Sequence, residues 1–146
     1  MIKRIIFIAV AAFLIIAQFF QIDKTNPPLN PGLDFLAAEM PNGEVGALFR
    51  TACYDCHSNE TVYPWYTSVA PLSWWIKNHI DEGRHDLNYS VWGDYSEEKK
   101  AHKIEESIEM IENKEMPLLS YWTVHWDAKL TEEERKAMAD WLRGLE

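Results

Sequence analysis

The sequence predicts an all-α fold: four to five short helices in one domain, preceded by an apolar N-terminal helix. Three observations predict it. Lys3 and Arg4 lead into an apolar run from Ile5 to Phe20 that only Gln18 interrupts. Apolar residues then recur at helical spacing, with Ile104, Ile108 and Ile111 at i, i+4 and i+7, and with Met138, Trp141, Leu142 and Leu145 near the end. Start signals precede both stripes: Ser96 before the first, and Thr131-Glu132-Glu133-Glu134, a capping box, before the second. Almost no strand is expected, and 146 residues suit a single domain.

Residues 1–22 read as a transmembrane helix. At 1.5 Å per residue the segment from Ile5 to Ile22 spans about 27 Å, close to a hydrocarbon core. The stretch Ala17-Gln18-Phe19-Phe20-Gln21-Ile22-Asp23 lacks the small residues of a cleavage site, which favours an uncleaved signal anchor over a cleaved leader. The cations at its start place the N-terminus in the cytoplasm and the rest outside. The expected location is thus the bacterial cytoplasmic membrane, single-pass, with the following domain in the periplasm. Setting Lys3 and Arg4 aside from the 14 basic side chains leaves 12 against 23 acidic ones, a formal charge of −11. Such a surface argues against nucleic acid and against direct binding to anionic lipid. It steers a basic partner or simply keeps the domain soluble.

Residues 23–42, with Pro27, Pro28, Pro31, Gly32 and Pro41, read as an extended tether holding one short apolar contact at Leu33-Asp34-Phe35-Leu36. Residues 43–146 form the domain. Asn42 is placed to cap a helix that begins at Gly43 and has Leu48, Phe49 and Ala52 on its apolar side. Gly46, a turn earlier, is expected to admit another helix. Ser58-Asn59-Glu60-Thr61 reads as a polar loop. The aromatics of Val62-Tyr63-Pro64-Trp65-Tyr66 suit either a ligand wall or ordinary core. Pro71 begins a helix that Gly83 is expected to stop. Residues 88–93 form a connector. The helix capped by Ser96 must end before Met116, since a residue preceding proline leaves the α region. Ala137, Met138, Trp141, Leu142 and Leu145 make the buried side of the last helix.

The chemistry lies in Cys53-Tyr54-Asp55-Cys56-His57, which contains both cysteines. C-x-x-C-H is the attachment signature of c-type haem. Two thiols three positions apart on a helical turn face one edge of a porphyrin, and the next imidazole reaches the iron from the proximal side. Three other readings compete. A thioredoxin-like pair needs a βαβ setting that is not evident. A zinc site needs four ligands, and only three are at hand. A structural disulfide would close a short, strained loop.

On these residues the layout resembles a mono-haem class I cytochrome c: a helix with Gly46 and Phe49 leads into C-x-x-C-H, a Met-Pro follows much later, and a final helix carries Trp141. More specifically, the span from about Gly43 to Leu142 resembles the small bacterial haem-binding domain family with a single C-x-x-C-H. The stretches that carry the likeness are Cys53 to Asn59, Tyr63-Pro64-Trp65-Tyr66, Ala70-Pro71-Leu72-Ser73-Trp74, Asn88-Tyr89-Ser90-Val91-Trp92, Met116-Pro117 with Tyr121 and His125, and Ala128-Lys129-Leu130-Thr131. The resemblance implies a cytochrome c-like bundle around one covalent haem c held by Cys53, Cys56 and His57. The Trp-rich middle departs from a standard small cytochrome c.

Met116 is the expected sixth ligand. Met40 lies in the tether, Met110 inside a helix and Met138 in a packed stripe, whereas Met116 falls in a break between helices and Pro117 restricts its backbone. His125 is the rival. His/Met ligation keeps the iron low-spin and raises its potential. The functional expectation is a membrane-tethered periplasmic c-type cytochrome that passes single electrons to a redox partner protein and is not an enzyme. The alternative is a haem peroxidase or gas sensor with an open sixth position and His125 as its acid/base group. A non-haem thiol or zinc protein is the third class. His79, His85 and His102 are expected to have no role at the site.

Overall fold

The computed structural model describes residues 1–145. These contain eight α-helices, four short 3-10 turns and no strand. The helices are α1 (Ile2–Ala17), α2 (Phe35–Glu39), α3 (Gly43–Ala52), α4 (Tyr54–His57), α5 (Leu72–Asp86), α6 (Glu97–Glu112), α7 (Leu119–Trp122) and α8 (Glu132–Arg143). The all-α expectation holds. The count is higher than four to five because α2, α4 and α7 are each about one turn long.

Local signals set the helix starts. Asn42 accepts the Val45 amide at 2.9 Å and caps α3. Ser96 caps α6 through the Lys99 amide. Thr131 and Glu134 form the expected reciprocal capping box on α8. Helix α6 ends at Glu112, and Lys114 adopts a left-handed conformation (φ 63°). That turn lets the amides of Glu115 and Met116 both reach the Met110 carbonyl, so the chain reverses before Pro117.

α8 crosses α3 on one side and lies along α6 on the other. Phe49 and Met138 are fully buried at these crossings, with Ile104, Ile108, Ile111 and Leu142 around them. Two details of the α8 stripe differ from expectation. Ala137 faces solvent, and Ala139 takes the inward position, because the buried face also includes Arg135. Gly46 meets only the Pro41 ring, at 3.4 Å, and no helix approaches it.

The proline-rich segment enters the core. A 3-10 turn at Pro31–Leu33 and helix α2, capped by Asp34, deliver Phe35 to the centre of the domain, where it is 1% exposed. Its ring lies 4.8 Å from both Tyr89 and Trp92, 5.4 Å from Phe49 and 5.6 Å from Trp141. The Trp92 indole N–H donates to Glu39 at 2.7 Å, which closes the segment over the core. The expectation of a tether over 23–42 thus fails from Pro31 onward. A proline-rich composition sets backbone stiffness, and Phe35 supplies the apolar area that draws the segment inward.

The N-terminal helix is shorter than the expected 1–22. It ends at Ala17, which at 1.5 Å per residue gives about 24 Å. Among the described residues, no helix is both long and apolar enough to cross a membrane. Its apolar side chains are exposed over most of its length. Its end is fastened to the domain: the Gln18 carboxamide donates to the Ala70 carbonyl and accepts the Ala70 amide, and the Trp74 indole donates to the Phe20 carbonyl at 2.7 Å.

Phe49 sits where α3, α8 and the aromatic cluster meet. Phe49→Ala should cost about 3–5 kcal/mol, read as a lower urea midpoint at unchanged slope, whereas Ala137→Ser on the exposed face of α8 should leave the midpoint nearly unmoved.

Candidate functional site

Helix α3 stops at Ala52 because Cys53 leaves the helical region (φ −125°, ψ −39°) and caps the one-turn helix α4. The amides of Cys56 and His57 both return to the Cys53 carbonyl, at 3.2 and 2.9 Å, so the two thiols and the imidazole share a single turn. The two residues between the cysteines fasten that turn to other elements. The Tyr54 hydroxyl donates to the buried Asp34 carboxylate at 3.0 Å, and its ring stacks on Tyr89 at 5.3 Å. Burial, reinforced by the Asp34 charge, pushes the Tyr54 hydroxyl far up. Asp55 accepts the Val62 amide at 2.9 Å through one oxygen and the Tyr121 hydroxyl at 2.8 Å through the other.

His57 is held by α5. Its Nδ1 lies 2.9 Å from the Gly83 carbonyl and 3.0 Å from the Leu87 carbonyl. Carbonyls only accept, so Nδ1 carries the proton and Nε2 is left with its lone pair free, the state an iron ligand requires. Burial lowers the His57 pKa, against the opposing pull of these two bonds, and favours the neutral ring. Gly83, expected to stop α5, lies inside it, since the helix continues to Asp86. Its role is contact: a Cβ there would stand 2.9 Å from the Cys56 carbonyl oxygen and 3.2 Å from the Cys56 Cβ. Only glycine lets α5 come close enough for its carbonyls to reach His57.

The Ser58–Thr61 loop is largely interior. Ser58, Asn59 and Thr61 are buried. Arg84 donates to the Ser58 carbonyl at 2.7 Å, to Asn26 at 2.7 Å and to the Thr61 hydroxyl at 2.8 Å. This guanidinium ties α5, the loop and the N-terminal segment together behind the motif.

Two adjoining cavities, of 320 and 250 Å³, open in front of it. Cys53 lines the first, Cys56 the second and His57 both. Met116 and Pro117 also line both, and Met110 borders the larger. Met116 is held by Arg135 of α8, whose guanidinium donates to the Met116 carbonyl at 2.6 Å and to the Ile111 carbonyl at 2.9 Å. Four of the sequence-predicted site residues, Cys53, Cys56, His57 and Met116, therefore border one crevice. His125 does not. Its Nε2 lies 2.5 Å from the Tyr66 hydroxyl, its ring stacks on Tyr121 at 4.2 Å, and it faces a separate cavity together with Trp65 and Tyr66. His79 borders the smaller part of the crevice, with Nδ1 turned back to the Trp75 carbonyl at 2.8 Å, and His102 pairs with Glu106 on the surface.

The residues fit a haem. The crevice offers a free imidazole nitrogen, two thiols on the same turn and a methionine, Met116, on its lining. Burial pushes the Cys53 thiol up to about 12 and the Cys56 thiol up to about 11, so neither is the ready thiolate that a dithiol redox centre uses. Among the described residues, no three His, Cys, Asp or Glu side chains gather to hold a metal ion by themselves.

An all-helical domain that turns a neutral imidazole into an apolar crevice beside two thiols is a small haem protein. The chain belongs to the haem-binding domain family, whose model, described as a haem-binding domain, matches residues 12–144. No curated protein and no solved structure matches it.

Sequence reasoning missed Gly83, Arg84 and Arg135 as parts of the site. A glycine followed by arginine at a helix end reads as a stop signal, and Arg135 in a capped helix reads as surface. Their contacts are all long-range, so no local pattern reveals them. In an isolated helix Gly83→Ala would stabilise by about 1 kcal/mol. Here it should instead destabilise the protein and sharply lower the yield of haem-loaded protein, because the Cys56 backbone has to move. The Soret absorbance per mole of purified chain measures this.

Proposed function

We propose that this chain is a single-haem c-type electron carrier tethered to the periplasmic face of the bacterial cytoplasmic membrane. One observation carries the reading: His57, with Nδ1 held and Nε2 free, shares its crevice with both thiols and with Met116. When bound, the haem supplies a one-electron iron couple. Cys53 and Cys56 would hold it through thioether bonds. His57 is the proximal ligand and Met116 the sixth. Support for Met116 is that it lines both cavities together with His57 and that the Arg135 bond fixes its backbone. With His57 and Met116 both bound to it, the iron would have no open position for peroxide or a gas, and the tie of His125 to Tyr66 keeps the candidate acid/base group on the lining of another cavity. The carrier therefore exchanges electrons with a redox partner and makes or breaks no substrate bond.

The anchor reading rests on the composition of residues 1–22 and on the outward-facing apolar side chains of α1. A 16-residue helix is shorter than a full hydrocarbon core. The turn at Phe19 and Phe20 adds apolar length. The net acidic charge of the exported part favours a basic partner.

Protein made with a haem-attachment system should keep its colour through acid–organic extraction, and a Cys53→Ala, Cys56→Ala double variant should lose it. Extractable haem in the unmodified protein contradicts the attachment.

Ferric protein should show the weak sulfur-to-iron band at the red edge of the visible spectrum. Met116→Ala should abolish that band, lower the potential and open the iron to cyanide or imidazole. If His125→Ala produces those changes and Met116→Ala does not, the iron is bis-histidine ligated.

A further inference from the structure

The cavity that His125 lines adjoins the crevice, shares Cys56 with it, and is larger than either part of it, at 340 Å³. It lies between α5, the 3-10 turn Trp65–Ser68 and the end of α7, and neither His57 nor Met116 reaches it. We propose that it binds the ring of a membrane-soluble quinone or quinol. This rests on the reading of the chain as a membrane-tethered electron carrier and names what reaches it from the lipid.

The walls are apolar and partly flat. Trp65, Trp75, Leu72 and Val62 line the cavity and are also among the exposed large apolar side chains, with Trp65 at 79% and Val62 at 69% exposure. Side chains exposed on that scale around an apolar hollow mark a binding site. The hollow also contains a polar pair, and the pair decides the ligand class. The Tyr66 hydroxyl and His125 Nε2, 2.5 Å apart, share one hydrogen bond whose direction depends on the imidazole tautomer. With the proton on His125 Nε2, the tyrosine hydroxyl is free to donate, which suits a quinone carbonyl. With Nε2 unprotonated, tyrosine donates to it and its oxygen accepts, which suits a quinol hydroxyl. A ring that alternates between C=O and O–H is satisfied in both forms, whereas an acyl chain would leave the pair unused.

Position gives the second argument. The end of α1 is bonded to the segment that forms the cavity rim: Gln18 to Ala70, and Trp74 to the Phe20 carbonyl, on either side of Leu72. If α1 lies in the bilayer, the mouth sits where the helix leaves it, within reach of a lipid-soluble molecule. Cys56, His79, Leu118 and Tyr121 line this cavity and the crevice alike, so a single layer of side chains divides a ring here from the haem site.

The test uses the full-length, haem-loaded protein in bacterial membranes and a decyl-tailed azidobenzoquinone as photolabel. Label should map to the peptides Val62–Ile76 and Leu118–His125. Unlabelled decylbenzoquinone and its quinol should compete, and decanol should not. Tyr66→Phe or His125→Phe should weaken competition about fivefold to tenfold, the effect of one lost hydrogen bond. Leu72→Trp, which fills the mouth, should abolish labelling. All three variants should retain the haem spectrum. Equal competition by decanol, label confined to residues 1–22, or labelling indifferent to both His125→Phe and Leu72→Trp would overturn the proposal. Carbonate extraction of the same membranes separates the two readings: release of the chain refutes the anchor alone, and integral protein without cavity label refutes the quinone site alone.

Discussion

The Nδ1–H of His57 donates to the carbonyls of Gly83 and Leu87, which lie within 3.0 Å of it, and this contact sets how α5 must pack. The contact orients the ring and fixes its tautomer, so the nitrogen that points into the crevice is the one able to bind a metal. It also requires the backbone of α5 to pass against the backbone of Cys56, which glycine at position 83 allows. Arg84, the next residue, then locks α5 to the loop after the motif through two hydrogen bonds and to Asn26 of the N-terminal segment through a third, all at 2.7–2.8 Å. Two adjacent residues therefore do separate work: one by having no side chain, the other by having the longest reach.

Three residues of the motif, Tyr54, Asp55 and His57, each have a partner on another element. Cys53 and Cys56 face the crevice, while Tyr54 is buried against Asp34 and Tyr89, and Asp55 takes Val62 and Tyr121. A one-turn helix has little stability of its own. Here the two intervening side chains supply it, because each is satisfied from a distant part of the chain. The same bonds explain why the proline-rich segment belongs to the domain: Asp34 caps α2 and accepts Tyr54, so the segment that carries Phe35 into the core also braces the haem motif.

The molecule has two apolar hollows with different furnishings. The crevice before His57 is bounded by thiols, a thioether and α6, and Arg135 keeps its far wall in place. The hollow beside it is bounded by indoles and aliphatic side chains around one Tyr–His pair, and the elements forming it hold the end of α1. The Trp-rich middle that sets this sequence apart from a standard small cytochrome c forms the second hollow more than the first. Trp92 and Trp141 go to the core, while Trp65 and Trp75 line the hollow.

The sequence by itself determined whatever depends on neighbours a few positions away. Asn42, Ser96 and Thr131 start their helices because a capping side chain meets an amide three residues on. Ile104, Ile108 and Ile111 are buried because helical period places them on one face. Cys53, Cys56 and His57 come together because one turn of helix contains them. Met116 falls at a break between helices that the proline directly after it makes legible. Only the tertiary structure decided what depends on distant partners. Gly83 reads locally as a helix end, and becomes a point of contact only because Cys56 lies against it. The Ser58–Thr61 stretch reads as surface loop, and is interior because Arg84 and Ser90 satisfy it. Residues 31–40 read as tether, and fold because Phe35 finds an aromatic cluster drawn from three other segments. His125 reads as a rival iron ligand, and is placed elsewhere by Tyr66, fifty-nine positions away. Periodicity and capping act over a single turn of backbone. Close approach, burial of polar groups and the assignment of a side chain to one cavity or another arise only when separate elements pack, and no local pattern encodes them.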